Sequence, residues 1–328
     1  MKLASIEIIS EILPHTNADT LEIAKILGWQ SVVRKGEYQP GDKVVFIPID
    51  TILPDAPWSL FLKKGDKPIK LNTIKLRGTY SQGLIQPLSI LPASTQSWHV
   101  GSDVGGELGI KKYEKEIPAC LSGEVRGAFP LFLAPRTDED NGLSNPELVK
   151  EVLRHDCIIT LKLDGSSCTI IVENGIIQHV CSRNLSLKES AGNGFWYAIN
   201  KVKDKLSNFT GVIQGELMGP GVQGNRLSLK EPTLFVFQIK SPITGSEWMG
   251  YEDMLATAGA MGLRVVSSIG EIKANSVELE QLQEFADKQL YQPNNTPAEG
   301  IVVRPLSAPS SGIGRPLGFK IINRNFKD

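Results

Sequence analysis

A chain of 328 residues with 41% hydrophobic and 22% charged residues has the make-up of an ordinary soluble globular protein, long enough for two domains. The formal net charge of -1 excludes an overall field that gathers polyanions, so a nucleotide or nucleic acid has to be met by a local cationic patch. Cys120, Cys157, Cys168 and Cys181 lie at irregular spacings without a Cys-x-x-Cys pair. That argues against a zinc site or a disulfide framework and for small buried hydrophobes in a reducing compartment. No segment approaches the roughly 18 apolar residues of a membrane span. The expectation is a soluble cytoplasmic protein.

In chain order, residues 1–110 read as all β. Apolar runs at Leu21 to Leu27, Val44 to Pro48 and Leu84 to Gln86 are separated by turns at Gly28, Pro40-Gly41-Asp42, Arg77-Gly78 and Gln82-Gly83, a spacing that suits a small OB-like β-barrel. Lys63, Lys64, Lys67, Lys70, Lys75 and Arg77 cluster with Asp66 as their counter-charge, and Trp58, Phe61 and Tyr80 are interleaved. Cations with aromatics suit a nucleic-acid track, with a solvated, solubilising loop as the alternative. Residues 111–142 carry Gly, Pro and charges with little periodicity and read as a linker and lead-in segment.

Residues 143–328 form the second predicted domain. Strands are expected at 157–163, 168–172, 176–181, 212–218, 234–239 and 299–304, and helices at 193–206, 250–260 and 277–290. A hairpin turn at Glu173-Asn174-Gly175 makes the domain antiparallel α+β.

Chemistry concentrates in this domain. Lys162 sits in Thr160-Leu161-Lys162-Leu163-Asp164-Gly165, on an apolar strand just before an Asp-Gly turn. A lysine there reads as a nucleophile whose pKa is lowered by the desolvating neighbours Ile158, Ile159 and Leu161. Asp-Gly is also an ordinary hairpin signal, and a strand lysine often blunts a sheet edge. Further segments set polar groups on apolar strands: Arg183 after Ile176 to Cys181, Glu216 in Gln214-Gly215-Glu216-Leu217-Met218, Phe237 in Leu234 to Ile239, Glu299 before Gly300 to Arg304, and Lys320 in Gly318 to Ile322. Singly, Glu216 and Glu299 read as structural ion pairs. Together these charges are expensive to bury without a polyanionic ligand and a metal.

In this order and spacing the segments resemble the motifs of the covalent nucleotidyltransferases, the polynucleotide ligases and mRNA capping enzymes, over residues 130 to 326. Lys162 to Gly165 resembles the nucleotidyl-lysine motif. The nearest resemblance is to ATP-dependent RNA ligases with an N-terminal OB-like domain, whose lead-in Phe129-Pro130-Leu131-Phe132 and Arg136-Thr137-Asp138-Glu139 resemble. DNA ligases and capping enzymes typically have arginine where Ser167 stands, and carry their OB domain after the last motif, where only Ile321 to Asp328 follow here.

The fold that this resemblance implies is α+β, an OB-like β-barrel followed by an antiparallel α+β nucleotidyltransferase domain of ATP-grasp-like ligase type. The activity it implies joins 5′-phosphate and 3′-hydroxyl RNA ends, as a monomer, on substrates that include nicked duplexes. Lys162, Asp164 and Lys320 would be catalytic. ATP and AMP would be held by Leu161 and Lys162, by Arg183 and Glu216 at the ribose, by Phe237 against adenine, and by Glu299 and Lys320. Glu299 and Asp164 would hold Mg2+ or Mn2+, and Lys63, Lys64, Lys67 and Lys70 would track the nucleic acid. A nucleic-acid-binding protein with an inactive transferase domain, or a DNA ligase or capping-type enzyme, are the alternatives.

The chain departs from the pattern in three places. Ile322 replaces the second lysine of the last motif, leaving phosphate neutralisation to Arg324, Lys327 or a metal. Asp140-Asn141 follows Glu139 where a cation is usual, and Gln238 stands where acidic residues are common. Gly219-Pro220-Gly221-Val222-Gln223-Gly224 formally matches G-x-G-x-x-G, but no helical pattern follows it to hold a dinucleotide; its glycines suit a loop closing on the ligand.

Overall fold

Short β-branched runs set the architecture. The computed structural model describes residues 2–92, 98–113, 124–241, 248–309 and 314–327, and the chain divides into two units, 1–116 with 143–146 and 117–142 with 147–328.

In the first unit the expected strands fall at Leu21–Ile26, Lys43–Ile47 and Leu84–Pro87. Lys43–Ile47 runs antiparallel between Ser5–Ile8 and Leu84–Pro87. Glu11–Pro14, Leu21–Ile26 and Trp29–Arg34 form a meander, and Thr51–Leu53 lies between Ile69–Lys70 and Lys111–Lys112. The central strand is covered on both faces. Val45 and Ile47 pack with Ala4, Ile6, Leu53 and Ile69, while Phe46 on the other side meets Trp29 at a ring separation of 6.2 Å.

Among the described residues the second unit holds two large sheets and a two-stranded ribbon, Leu290–Tyr291 with Thr296–Pro297. A seven-stranded sheet runs in the order Val125–Ala128, Leu185–Leu187, Ile176–Cys181, Ser166–Glu173, Gly211–Met218, Thr233–Lys240, Arg264–Val265. The other has five strands: Asp140–Asn141, Phe319–Ile322, Gly300–Pro305, Cys157–Lys162 and Ser268–Ile272. Each buries one face under helices. Ile170, Ile213, Leu217, Val236 and Ile239 pack with Gly194–Asn200 and Tyr251–Ala260. Cys157, Ile159, Ile301, Val303, Phe319 and Ile321 pack with Pro146–Leu153 and Leu279–Asp287. The alternation of strand side chains leaves the opposite faces for polar groups.

Several boundaries differ from expectation. The helix expected at 193–206 is Gly194–Asn200, started by the Asn193 side chain accepting from the Phe195 and Trp196 N–H groups, and then a separate 3-10 turn at Lys203–Leu206. Glu299 precedes its strand, Gly300–Pro305. The sheets are mixed, not purely antiparallel: Asp140–Asn141 runs parallel to Phe319–Ile322, and Thr233–Lys240 to Arg264–Val265. The helix Pro146–Leu153 was not expected; its proline takes the first helical position, where a missing N–H costs nothing. The hairpin turn holds, with Asn174 at φ 49° and Gly175 at φ 77°.

Cys157, Cys168 and Cys181 are buried free thiols, and burial pushes their pKa values up, to about 12 for Cys157 and Cys181. Cys120 lies outside the described residues. Among the described residues no helix is long and apolar enough to cross a membrane.

Candidate active site

Lys162 ends its strand on the polar face of the five-stranded sheet. It pairs with Gly300, while Thr160 pairs with Val302 and Val302 with Lys320, so Lys162, Thr160 and Lys320 share that face. The Lys162 ammonium meets Glu299 at 2.7 Å. Burial works to lower its pKa, but Glu299, Glu216 and Asp164 outweigh that and raise it. The expectation of a lysine with a depressed pKa is therefore corrected for the ligand-free chain: apolar neighbours are legible in sequence, whereas the three carboxylates arrive from elsewhere in the chain. Glu216 is pushed up to about 8, by burial first and by Glu299 and Asp164 further, with Lys162 opposing.

The Asp164-Gly165 turn is held from several sides. Gly165 donates its N–H to Glu216 Oε1 at 3.2 Å. A Cβ on Gly165 would come within 2.4 Å of the Leu217 carbonyl oxygen, so only glycine permits this approach. Asp164 Oδ2 accepts from Arg226 Nε at 2.8 Å, and the Arg226 guanidinium lies 4.6 Å from the Phe326 ring centre. Gln223, on the glycine-rich loop, donates to the Gly165 carbonyl at 3.3 Å. That loop packs on the lysine turn and carries no helix, which agrees with dismissing a dinucleotide fold.

Tyr291 was not singled out in the sequence. Its hydroxyl donates to the Lys162 carbonyl at 2.7 Å and accepts from the N–H groups of Asp164 at 2.9 Å and Glu299 at 3.1 Å. One donor and two lone pairs are thereby all used. The side chain is wholly buried, and burial together with the Glu299 and Asp164 carboxylates raises its pKa, keeping it a phenol. It lies in a two-residue strand, Leu290–Tyr291, too short for a periodic signal.

The arginines are engaged by the lead-in segment. Arg183 pairs with Asp138 at 2.6 Å, Arg304 with Glu139, and Arg315 with Asp140 at 3.8 Å. Thr137 Oγ1 lies 2.5 Å from Ser167 Oγ. Arg324, expected to face phosphate, is instead committed to Asp287, with Nε to Oδ2 at 2.7 Å. Next to Thr160, on the same sheet face as Lys162, a cavity is lined by Ile158, Thr160, Phe237, Gln238, Val266 and Arg304, drawn from both sheets and the turn between them. The Arg304 guanidinium lies 5.2 Å from the Phe237 ring centre. Site residues therefore gather in this unit: Lys162, Glu299, Glu216 and Asp164 around one amine, with Phe237 in the adjoining cavity.

The basic cluster of the first unit is less uniform than its sequence. Lys63 pairs with Asp55, Lys70 lies 3.6 Å from the Tyr113 ring centre and Lys75 4.3 Å from that of Tyr80. Lys64 and Lys67 are exposed. Of the interleaved aromatics Phe61 is 66% exposed, while Trp58 packs against the core.

Comparison with known proteins agrees with this architecture. An OB-fold domain family matches residues 3–88, and the RNA ligase family matches residues 155–320. The structure of a Naegleria gruberi RNA ligase with PPi is similar at a TM-score of 0.84 and 30% identity, over 98% of this chain and 97% of that one. Two mutants of the same ligase, solved with AMP and Mn and with ATP and Mn, each match at a TM-score of 0.85 and 30% identity over 98% of this chain and 97% of theirs. No curated protein sequence matches. The class is thus an α+β ligase with an N-terminal OB-fold domain. The chain belongs to the RNA ligase family.

Two outcomes follow from the geometry. Tyr291→Phe leaves one carbonyl and two N–H groups without their partner and should lower stability by about 1–3 kcal/mol, read as a shifted urea midpoint; an unchanged midpoint would show that water or a neighbour replaces the hydroxyl. Glu216 binds its proton more tightly in the folded than in the unfolded chain. Its contribution to stability is therefore fully present below about pH 4.5 and is lost as pH rises towards about 8. Without ligands, Glu216→Gln should flatten that decline, by up to about 1.4 kcal/mol per pH unit, in unfolding curves taken across the range.

Proposed function

We propose that this protein is an ATP-dependent ligase that seals RNA 5′-phosphate and 3′-hydroxyl ends through a covalent lysyl-AMP on Lys162. The observation that carries this reading is the Lys162 amine set among Glu299, Glu216 and Asp164, two residues along its strand from Thr160, which lines a cavity with Phe237. Lys162 Nζ attacks the α-phosphorus of ATP, forming a P–N bond as the bond to pyrophosphate breaks. AMP passes to the RNA 5′-phosphate, and the 3′-hydroxyl then displaces AMP. Phe237 stacks on adenine, a contact worth roughly 1–3 kcal/mol. Glu216 and Arg183 hold the ribose, Leu161 borders the base, and Lys320 offsets phosphate charge from the same sheet face as Lys162.

Among the described residues no three His, Cys, Asp or Glu side chains form a metal cage. One or two hard carboxylates beside phosphates do fit Mg2+ or Mn2+, which usually keep several waters. Glu299 and Asp164 would hold the ion, whose positive charge, when bound, offsets the phosphates and favours the free amine. To hold it, Glu299 would give up its lysine partner and Asp164 its Arg226 partner. Residues 1–110 serve as the nucleic-acid module, 111–142 as the lead-in and 143–328 as the catalytic domain, in a cytoplasmic monomer that accepts nicked duplexes.

Incubation with ATP should add one AMP to the intact protein, and Lys162→Ala should abolish the adduct while still sealing a pre-adenylylated strand weakly. A robust adduct on the mutant overturns the assignment, and its absence from the wild type favours a binding protein with an inactive transferase domain. Mutating Lys63, Lys64, Lys67 and Lys70 together should spare lysine adenylylation and reduce sealing. The salt dependence of RNA binding should flatten by just under one log-log unit for every phosphate that the variant no longer neutralises; failure to form the adduct would instead assign these lysines to ATP.

A further inference from the structure

The Thr233–Lys240 strand carries a bulge: Gln214 pairs with Gln238 and Gly215 with Val236, so Phe237 is the extra residue. A bulge re-aims the side chains beside it. Here Phe237 and Gln238, neighbours that a regular strand would send to opposite faces, both line the cavity. Gln238 is only 6% exposed.

Its amide is oriented by its neighbours. Gln214 Nε2 donates to the Pro135 carbonyl at 2.8 Å and to Thr169 Oγ1 at 3.1 Å. A carbonyl can only accept, so Gln214 presents its Oε1 on the other side, and Gln238 Nε2 donates to it. Gln238 Oε1 is what remains, and it has no hydrogen-bond partner in the structure. Turning the amide over would set two oxygens against each other. A residue that lines the cavity thus carries a fixed, buried acceptor that lacks a donor, a costly arrangement unless a ligand completes it. Gln214 lies two residues along its strand from Glu216, a rise of roughly 7 Å, which is comparable with the reach of a purine from its ribose to its 6-position.

We propose that Gln238 Oε1 accepts a hydrogen bond from the 6-amino group of the nucleotide base, so that the relay from Pro135 through Gln214 to Gln238 selects a 6-amino over a 6-oxo purine. This rests on the reading of the cavity as the nucleotide site. A 6-oxo purine points an acceptor at an acceptor, and the relay prevents the amide from turning to accommodate it. A purine with hydrogen at position 6 loses the bond without the repulsion.

The test compares kcat/KM for covalent loading of the wild-type protein with ATP, purine riboside triphosphate and inosine triphosphate. ATP should exceed the 6-hydrogen analogue by roughly tenfold or more, and the 6-oxo analogue should be lower still. Gln238→Met, of similar volume, should bring the ratio of ATP to the 6-hydrogen analogue towards one. Gln214→Leu, which frees the amide to turn, should narrow the gap between ATP and inosine triphosphate. Equal loading of ATP and the 6-hydrogen analogue by the wild type overturns the inference while leaving the nucleotide site intact. So does a Gln238→Met variant that slows both by the same factor. A wild type that loads none of the three refutes the nucleotide reading itself, and the inference with it. The wild-type comparison stands even if a variant fails to fold.

Discussion

Burial of one ammonium among three carboxylates governs the catalytic unit. With Lys162 charged and Glu299, Glu216 and Asp164 all ionised, the cluster would carry a net charge of -2, from +1 and -3. Burial first, and the Glu299 and Asp164 charges after it, hold the Glu216 pKa high, and a proton on its carboxyl relieves that excess. Arg226 on Asp164 relieves it further. Removing one partner from a buried pair costs about 3–5 kcal/mol, because a charge is left stranded. A polyphosphate adds more negative charge, so the cluster tolerates it only alongside cations, which fits a ligand that arrives with a divalent ion.

The sheets make such a cluster possible by carrying their larger apolar clusters on the helix-covered faces. Helices cover Ile159, Ile301 and Ile321 in one sheet and Ile213, Leu217 and Val236 in the other, and the opposite faces, with smaller clusters around Ile171 and around Leu163 and Tyr291, keep room for polar groups. Tyr291 then ties the lysine turn to the backbone before the Gly300–Pro305 strand through a single oxygen. The two segments that carry Lys162 and Glu299 are thereby fixed relative to each other independently of their own ion pair, and the pair can exchange partners without the turn moving.

What was legible in the sequence, and what was not, follows from the range of the interactions. Strands such as Cys157–Lys162 and Gly211–Met218 are runs of β-branched residues whose pattern is local, and the lysine, both glutamates and Phe237 were found because each stands out against such a run. The direction of the Lys162 pKa was missed because it depends on carboxylates brought in from distant segments. The bulge at Phe237 leaves no mark on Leu234 to Ile239, since an extra apolar residue in an apolar run looks regular; Gln238 stood out as a departure from the pattern, but its place in the cavity lining was hidden with the bulge. Lys63 and Lys70 looked like free cations because sequence does not show Asp55 or the ring of Tyr113 beside them.

The acidic lead-in also decides which arginine can serve a ligand. Asp138, Glu139 and Asp140 each hold one of Arg183, Arg304 and Arg315. The Arg304–Glu139 pair is 10% and 15% exposed and lies against the Phe237 ring, so breaking it would strand a charge at the base of the cavity. The Arg183–Asp138 pair is 38% exposed on both sides, and pairs so open to water are worth only about 0–1 kcal/mol. A ligand hydroxyl or phosphate can therefore displace Asp138 from Arg183 at small cost, whereas Glu139 keeps Arg304. Of these two arginines, Arg183 has the exchangeable partner and Arg304 is the fixed wall against which Phe237 is held.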